Sequence, residues 1–88
     1  MSKVVKKKIT VKNKLGLHAR PAALFVQIAN KYDSNVTVKK DDQEVNGKSI
    51  MGILMLGAQQ HSRITVIVEG DDAEQIMNEI EEFLSKDE

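Results

Sequence analysis

The sequence predicts an α+β fold, an antiparallel sheet with helices on one face and solvent on the other. Apolar residues alternate with polar ones over 4–11 and 63–69, as in strands with one buried face. They recur at helical spacing over 19–31 and 73–85. The segments follow one another as β-α-β-β-α-β-α, an order that suits helices packed together on one side of a sheet.

Each element has its own signal. In VVKKKITV, residues 4–11, Val5, Ile9 and Val11 share one face, interrupted by Lys7. Residues 19–31 carry a stripe of Leu24, Phe25, Ile28 and Ala29, continued by Tyr32. NVTVKK (35–40) and QEVN (43–46) read as short strands joined through Asp41 and Asp42. Ser49 precedes IMGILMLG, a short apolar helix ended by Gly57. RITVIVE, residues 63–69, is the clearest strand, with Ile64, Val66 and Val68 on one face. The last helix, 73–85, has Asp72 as its expected N-cap and a stripe of Ile76, Met77, Ile80, Phe83 and Leu84. The ends, 1–3 and 86–88, are expected to be loose.

At 88 residues the chain suits one small domain, 1–88, with a core of about 4–85. It has no cysteine, so neither disulfides nor thiolate metal sites are available. No apolar run is long enough to cross a membrane, and MSKVVKKK lacks the apolar stretch of a secretory signal. A cytoplasmic protein is expected. Net charge is zero but unevenly spread. Lysines crowd the first quarter and carboxylates the last, an asymmetry able to steer an acidic partner toward the basic end.

GLHARPAA, residues 16–23, carries the chemistry. Proline is tolerated in the first helical turn, where its missing N–H has no partner to lose, so Pro21 marks a helix start. His18 then falls at or just before that start, with Ala19 opening the helix and Gly16 permitting a tight loop. The first backbone N–H groups of a helix are unpaired and carry the positive end of its dipole. Arg20 adds a planar cation with several donors. Together they make a place for a phosphate. Positive potential there favours a neutral imidazole, whose ring nitrogen is a nucleophile. A phosphoryl group on that nitrogen would be stabilised without being buried, which permits onward transfer.

Ser49 forms a second constellation in NGKSIMGILML. As an N-cap it satisfies a free N–H, and a phosphate there would also meet a helix N-terminus. A helix this short cannot bury Ile50, Met51, Ile53, Leu54, Met55 and Leu56 together. Met51 and Leu54 are expected to be exposed, forming a docking surface beside a modifiable serine.

GLHARPA followed by KSIMG, on a β-α-β-β-α-β-α chain of this length, resembles the HPr family, the histidine-containing phosphocarriers of the bacterial phosphoenolpyruvate-dependent phosphotransferase system. The resemblance covers about residues 4–85. It implies an open-faced sandwich of four antiparallel strands with three helices on one side. It implies that His18 accepts phosphate from Enzyme I on Nδ1 and passes it to IIA domains. Arg20 would assist the phosphohistidine, and Gly16, Ala19 and Pro21 would shape the phosphate site. Ser49 would be a regulatory phosphorylation site, bringing in a serine kinase/phosphorylase and a transcriptional regulator. Ile50, Met51 and Leu54 would dock partners. The resemblance implies no cofactor and no metal, a monomer, and a carrier rather than an enzyme. Leu15 departs from the small polar residue of many sugar-transport members, and NKLGLHARPA is similar to the nitrogen-related branch. KSIMG is similar to members phosphorylated on serine. The family's catabolite-repression paralogue lacks the histidine, which His18 supplies here.

Other functions are weaker. RNA-binding domains of similar element order stack bases on sheet aromatics. Here Phe25, Tyr32 and Phe83 all lie on helical stripes, so no nucleic-acid partner is expected. NGKS ends like a P-loop, but the required first glycine is Asp42. His61 has no second ligand at metal spacing and reads as a surface residue. A regulatory adaptor, docking through the Met51 surface and never carrying phosphate for transport, is the main alternative.

Overall fold

The computed structural model describes residues 3–86. Its elements are β1 (Val4–Thr10), α1 (Ala19–Asn30), β2 (Asn35–Lys40), β3 (Gln43–Asn46), α2 (Ile50–Leu56), β4 (Arg63–Glu69) and α3 (Ala73–Leu84). The strands form one sheet in the order β1-β4-β2-β3, with every neighbouring pair antiparallel. β1 stops one residue earlier than expected, yet Val11 stays tied to the β4 side. Its N–H donates to the Ser62 carbonyl at 2.8 Å and its carbonyl accepts from the His61 N–H at 2.7 Å.

Register decides which side chains meet. Val5, Val68 and Val36 form one row across the sheet, and Lys7, Val66, Val38 and Val45 the next. These rows face the helices. Val36, Val38, Ile64, Val66 and Val68 are buried there against Phe25, Ile53, Ile76, Met77, Ile80 and Leu84. The opposite rows, such as Lys8, Thr65, Lys39 and Glu44, face away from them. A period-two strand can serve both faces only in this way. Asp41 and Asp42 close the β2–β3 hairpin, with Asp41 in the left-handed region (φ 55°), which Asp tolerates better than most residues.

Four expectations need correction. In α1 the buried stripe is Ala22, Phe25, Val26 and Ala29, so Leu24 turns outward instead of into the core. Asp72 stands at the N-cap of α3 but makes no side-chain cap bond; its N–H donates to Ser34 Oγ instead. Lys3 is held, because its carbonyl accepts from the Gly70 N–H at 2.8 Å and Nζ reaches Glu74 at 3.1 Å. Residues 1, 2, 87 and 88 lie outside the described residues. The charge asymmetry partly cancels in space. α3 packs over β1, so Lys7 meets Glu81 at 2.9 Å as Lys3 meets Glu74. Lys7 thus interrupts the apolar face of β1 without being stranded, since an edge strand lets its ammonium reach out.

One polar cluster ties α1 to α3. Glu79 accepts hydrogen bonds from Lys31 Nζ and the Tyr32 hydroxyl. The bond from Lys31, and then that from Tyr32, holds the Glu79 carboxyl below its ordinary value of 4.5. The same bond raises Lys31 above 10.5. Stability from the lowered carboxyl is present above its unfolded value and is lost as pH falls through the folded one. Stability from the raised lysine is lost as pH rises through its folded value. Replacement of Glu79 by Gln therefore lowers the unfolding midpoint most near neutral pH, and the gap to the parent narrows as pH falls below 4.5 and through the lowered folded value. Thermal unfolding of both proteins across pH 2–11 checks this; an equal gap at pH 3 and pH 7 is the contrary result.

Candidate functional site

The loop between β1 and α1 is held from three sides. The Lys12 N–H donates to the Leu84 carbonyl at 3.0 Å, and its carbonyl accepts from Gln60 Nε2 at 3.3 Å. The Gly16 N–H closes a turn onto the Asn13 carbonyl at 3.0 Å. The Leu17 N–H donates to the Ala58 carbonyl at 2.8 Å, and the Leu17 side chain enters the core. Gly16 has φ +70°, and a Cβ there would stand 2.4 Å from the Ala58 carbonyl oxygen and 2.7 Å from Gln59 Cα. Glycine is thus required both by the backbone conformation and by the close approach.

This anchoring delivers His18 to the N-cap of α1 with extended backbone (φ −90°, ψ −164°). Its carbonyl accepts the first helical bond, from the Ala22 N–H at 2.8 Å. Its side chain makes no cap bond, so the imidazole is not spent on the helix. Pro21 is the third residue of α1, within the expected first turn, and has no N–H. Ala19 and Arg20 supply the helix's leading N–H groups. His18, Ala19 and Arg20 are all exposed.

His18 and Arg20 line one shallow depression of about 640 Å³ with Asn13, Lys14, Leu15, Pro21, Leu24 and Phe83. Among the described residues, neither Lys14 nor Arg20 has a carboxylate partner. The site therefore combines an exposed imidazole, two uncompensated cations and a helix N-terminus, with apolar walls. It can hold a phosphoryl group on the imidazole while leaving it open to attack. Among the described residues no three His, Asp or Glu side chains gather as a metal-holding group, and His61 is exposed.

Ser49 caps α2 as expected, accepting from the Gly52 N–H at 3.1 Å. It does not line the His18 depression. Asn30 Nδ2 donates to the Lys48 carbonyl at 3.3 Å, and Lys48 Nζ to the Tyr32 carbonyl at 2.7 Å, so Ser49 lies toward the C-terminal end of α1. His18 is at its N-terminal end, and a helix of 12 residues is about 18 Å long. In α2, Ile50, Met51 and Met55 are exposed. Leu54 is half-buried and packs on the core, contrary to expectation; Met55 takes the outer position. The rotation is set by Gly52, whose absent Cβ would stand 3.1 Å from the Asn46 carbonyl and 3.2 Å from Val45 Cβ. Ile53 and Leu56 then point inward, and Met51 and Met55 outward. Gly57 ends the helix in the left-handed conformation (φ 61°).

Residues 5–86 match the family model described as the PTS HPr component phosphorylation site. The chain belongs to the HPr family. Its sequence is similar to the HPr-like protein Crh of Halalkalibacterium halodurans, 46% identical over 84 residues, which is 96% of this chain and all of that protein. Its fold is similar to a phosphocarrier protein HPr from Bacillus anthracis, with TM-score 0.90, 44% identity, and 93% and 98% of the two chains covered. It is also similar to Bacillus subtilis Crh, described as a domain-swapped dimer, with TM-score 0.76, 40% identity, and 94% and 95% covered. The expected HPr fold, four antiparallel strands with three helices, is the one observed.

Motif reading located His18, Arg20 and Ser49, but not the walls of the depression. Periodicity places Leu24 and Phe83 on core stripes, and Leu15 stands out only as an unusual residue. A weak signal existed: leucine is rare at a turn tip, and α1 carries more apolar residues than one stripe can bury. Replacement of Gly16 by Ala lowers stability by about 2 kcal/mol or more, since it adds left-handed strain to a backbone collision. Chemical denaturation measures this; an unchanged midpoint would mean that the loop is not seated on Ala58.

Proposed function

We propose that this chain is a phosphocarrier in which Nδ1 of His18 accepts a phosphoryl group from phosphorylated Enzyme I and passes it to IIA domains. The observation that carries this reading is the His18 imidazole itself, exposed at the start of α1, free of any cap bond, in one depression with Arg20 and Lys14. In the transfer, the lone pair of Nδ1 attacks phosphorus in line, an N–P bond forms, and the bond to the donor breaks. Arg20, Lys14 and the leading helix N–H groups stabilise the transferred charge. Gly16, Ala19 and Pro21 shape the backbone around it. The chain turns over no small substrate alone, so it is a carrier rather than an enzyme. It acts in the cytoplasm as a monomer, through the one HPr-like domain whose core spans about 4–85, without cofactor, metal or nucleic acid.

Intact mass after incubation with phosphoenolpyruvate and Enzyme I tests the reading. One acid-labile phosphoryl group is expected on the parent and none on the His18→Ala variant. A folded parent that gains no mass, or a variant that gains the same mass, rejects it.

A second reading is favoured by the similarity to Crh and by the exposed Ile50, Met51 and Met55. In it, phosphorylation of Ser49 by a serine kinase regulates partner binding, and a transcriptional regulator is among the partners. Salt screens charges over about 8 Å at physiological ionic strength, well under the length of α1. A phosphate on Ser49 therefore acts on the partner docked over α2 rather than through its field at His18. Ser49→Asp raises the KM for Enzyme I roughly tenfold, equivalent to 1.4 kcal/mol, at little change in kcat. Steady-state phosphoryl transfer checks this, and equal KM values for variant and parent count against it.

A further inference from the structure

We propose that Leu15 is an anchor for the phosphoryl-transfer partner. Its side chain receives an apolar side chain of that partner beside the transferring phosphate and so selects which partners are accepted. The proposal rests on the carrier reading of His18.

Leu15 is 74% exposed, more than any other large hydrophobic side chain among the described residues. A single exposed leucine is ordinary. This one is not single, because it shares the His18 depression with Leu24, itself 43% exposed, and with Pro21 and the partly buried Phe83. The fold makes no use of it: Leu15 is absent from the core cluster, and the turn it occupies favours small polar residues.

The backbone that presents Leu15 is held on both sides. Lys12 is bonded to Leu84 before it, and Gly16 and Leu17 are seated on Ala58 after it. An apolar group held in place loses little further backbone freedom when covered, which is how interface anchors behave.

The geometry also identifies what covers it. In-line transfer requires the donor's phosphorus to reach bonding distance of His18, and Leu15 and Leu24 line the depression into which it must come. The partner protein is therefore the occupant. Lys14 and Arg20 lie in the same depression without carboxylate partners among the described residues, so that partner presents anionic groups as well as an apolar one. A partner offering a polar side chain at this point would bury it without a hydrogen bond and be rejected. Ile50, Met51 and Met55 do not line the depression, so Leu15 is a contact separate from the α2 surface.

The test is steady-state transfer from phosphorylated Enzyme I to the parent, Leu15→Ser, Leu15→Met and His18→Ala. Leu15→Ser is expected to raise KM roughly tenfold with kcat little changed, as loss of one partly buried leucine contact predicts. Leu15→Met restores most of the parent KM, because the apolar surface returns. Thermal unfolding of Leu15→Ser coincides with the parent. A KM unchanged in Leu15→Ser, a loss confined to kcat, or a destabilised Leu15→Ser protein each overturns the anchor. His18→Ala reads the carrier function separately: transfer persisting there, or absent from the parent, rejects the carrier reading and the anchor with it.

Discussion

Gly16 lies against the carbonyl of Ala58, closer than any side chain would allow, and beside it the Leu17 N–H is bonded to the same oxygen. The His18 loop is fixed at that point. β1 leads into it, α1 leaves from it, and Ala58 follows directly on the left-handed end of α2. One contact between two backbones thereby joins the strand that starts the sheet, the helix that carries the imidazole and the helix that carries Ser49. Leu17 enters the core on one side of His18 and Ala22 on the other, which leaves His18, Ala19 and Arg20 outside. An exposed imidazole on a base already held in place loses little further backbone freedom when another molecule covers it.

The charges follow the same plan. Where β1 meets α3, lysines and glutamates pair across the boundary, at Lys3 with Glu74 and Lys7 with Glu81. Such exposed pairs contribute little to stability. Their effect is to remove from this side the basic excess that the sequence suggests. Among the described residues Lys14 and Arg20 lack such partners, so cationic character persists beside His18. Ser49 stands toward the other end of α1 from His18, outside that cationic depression.

All seven elements were legible, because each announces itself locally. RITVIVE alternates, Ser49 and Gly57 bracket α2 with capping chemistry, and the α3 stripe repeats at helical period. The failures came where a neighbour chosen by the fold outweighed a local rule. Asp72 is a sound cap candidate, yet its backbone, tied through its N–H to Ser34 from another part of the chain, is not extended (φ −96°, ψ 15°) as a capping residue's is. Leu54 and Met55 cannot be told apart by periodicity in a helix of seven residues. Contact of Gly52 with β3 sets the rotation. Lys7 broke the pattern of β1, and only its place at the sheet edge beneath α3 explains why a charge is allowed there.

By itself the sequence determined the strands and helices, the placement of His18 at a helix start and the glycine that the loop before it needs. Periodicity, capping and left-handed turns are short-range consequences of backbone geometry. Tertiary structure decided which side chains surround His18. Phe83 arrives from the other end of the chain, Leu24 turns outward because Phe25 and Val26 face inward, and Leu15 is left exposed on a turn that Ala58 holds still. Those neighbours are set by packing between distant segments, and no local pattern in the chain encodes them.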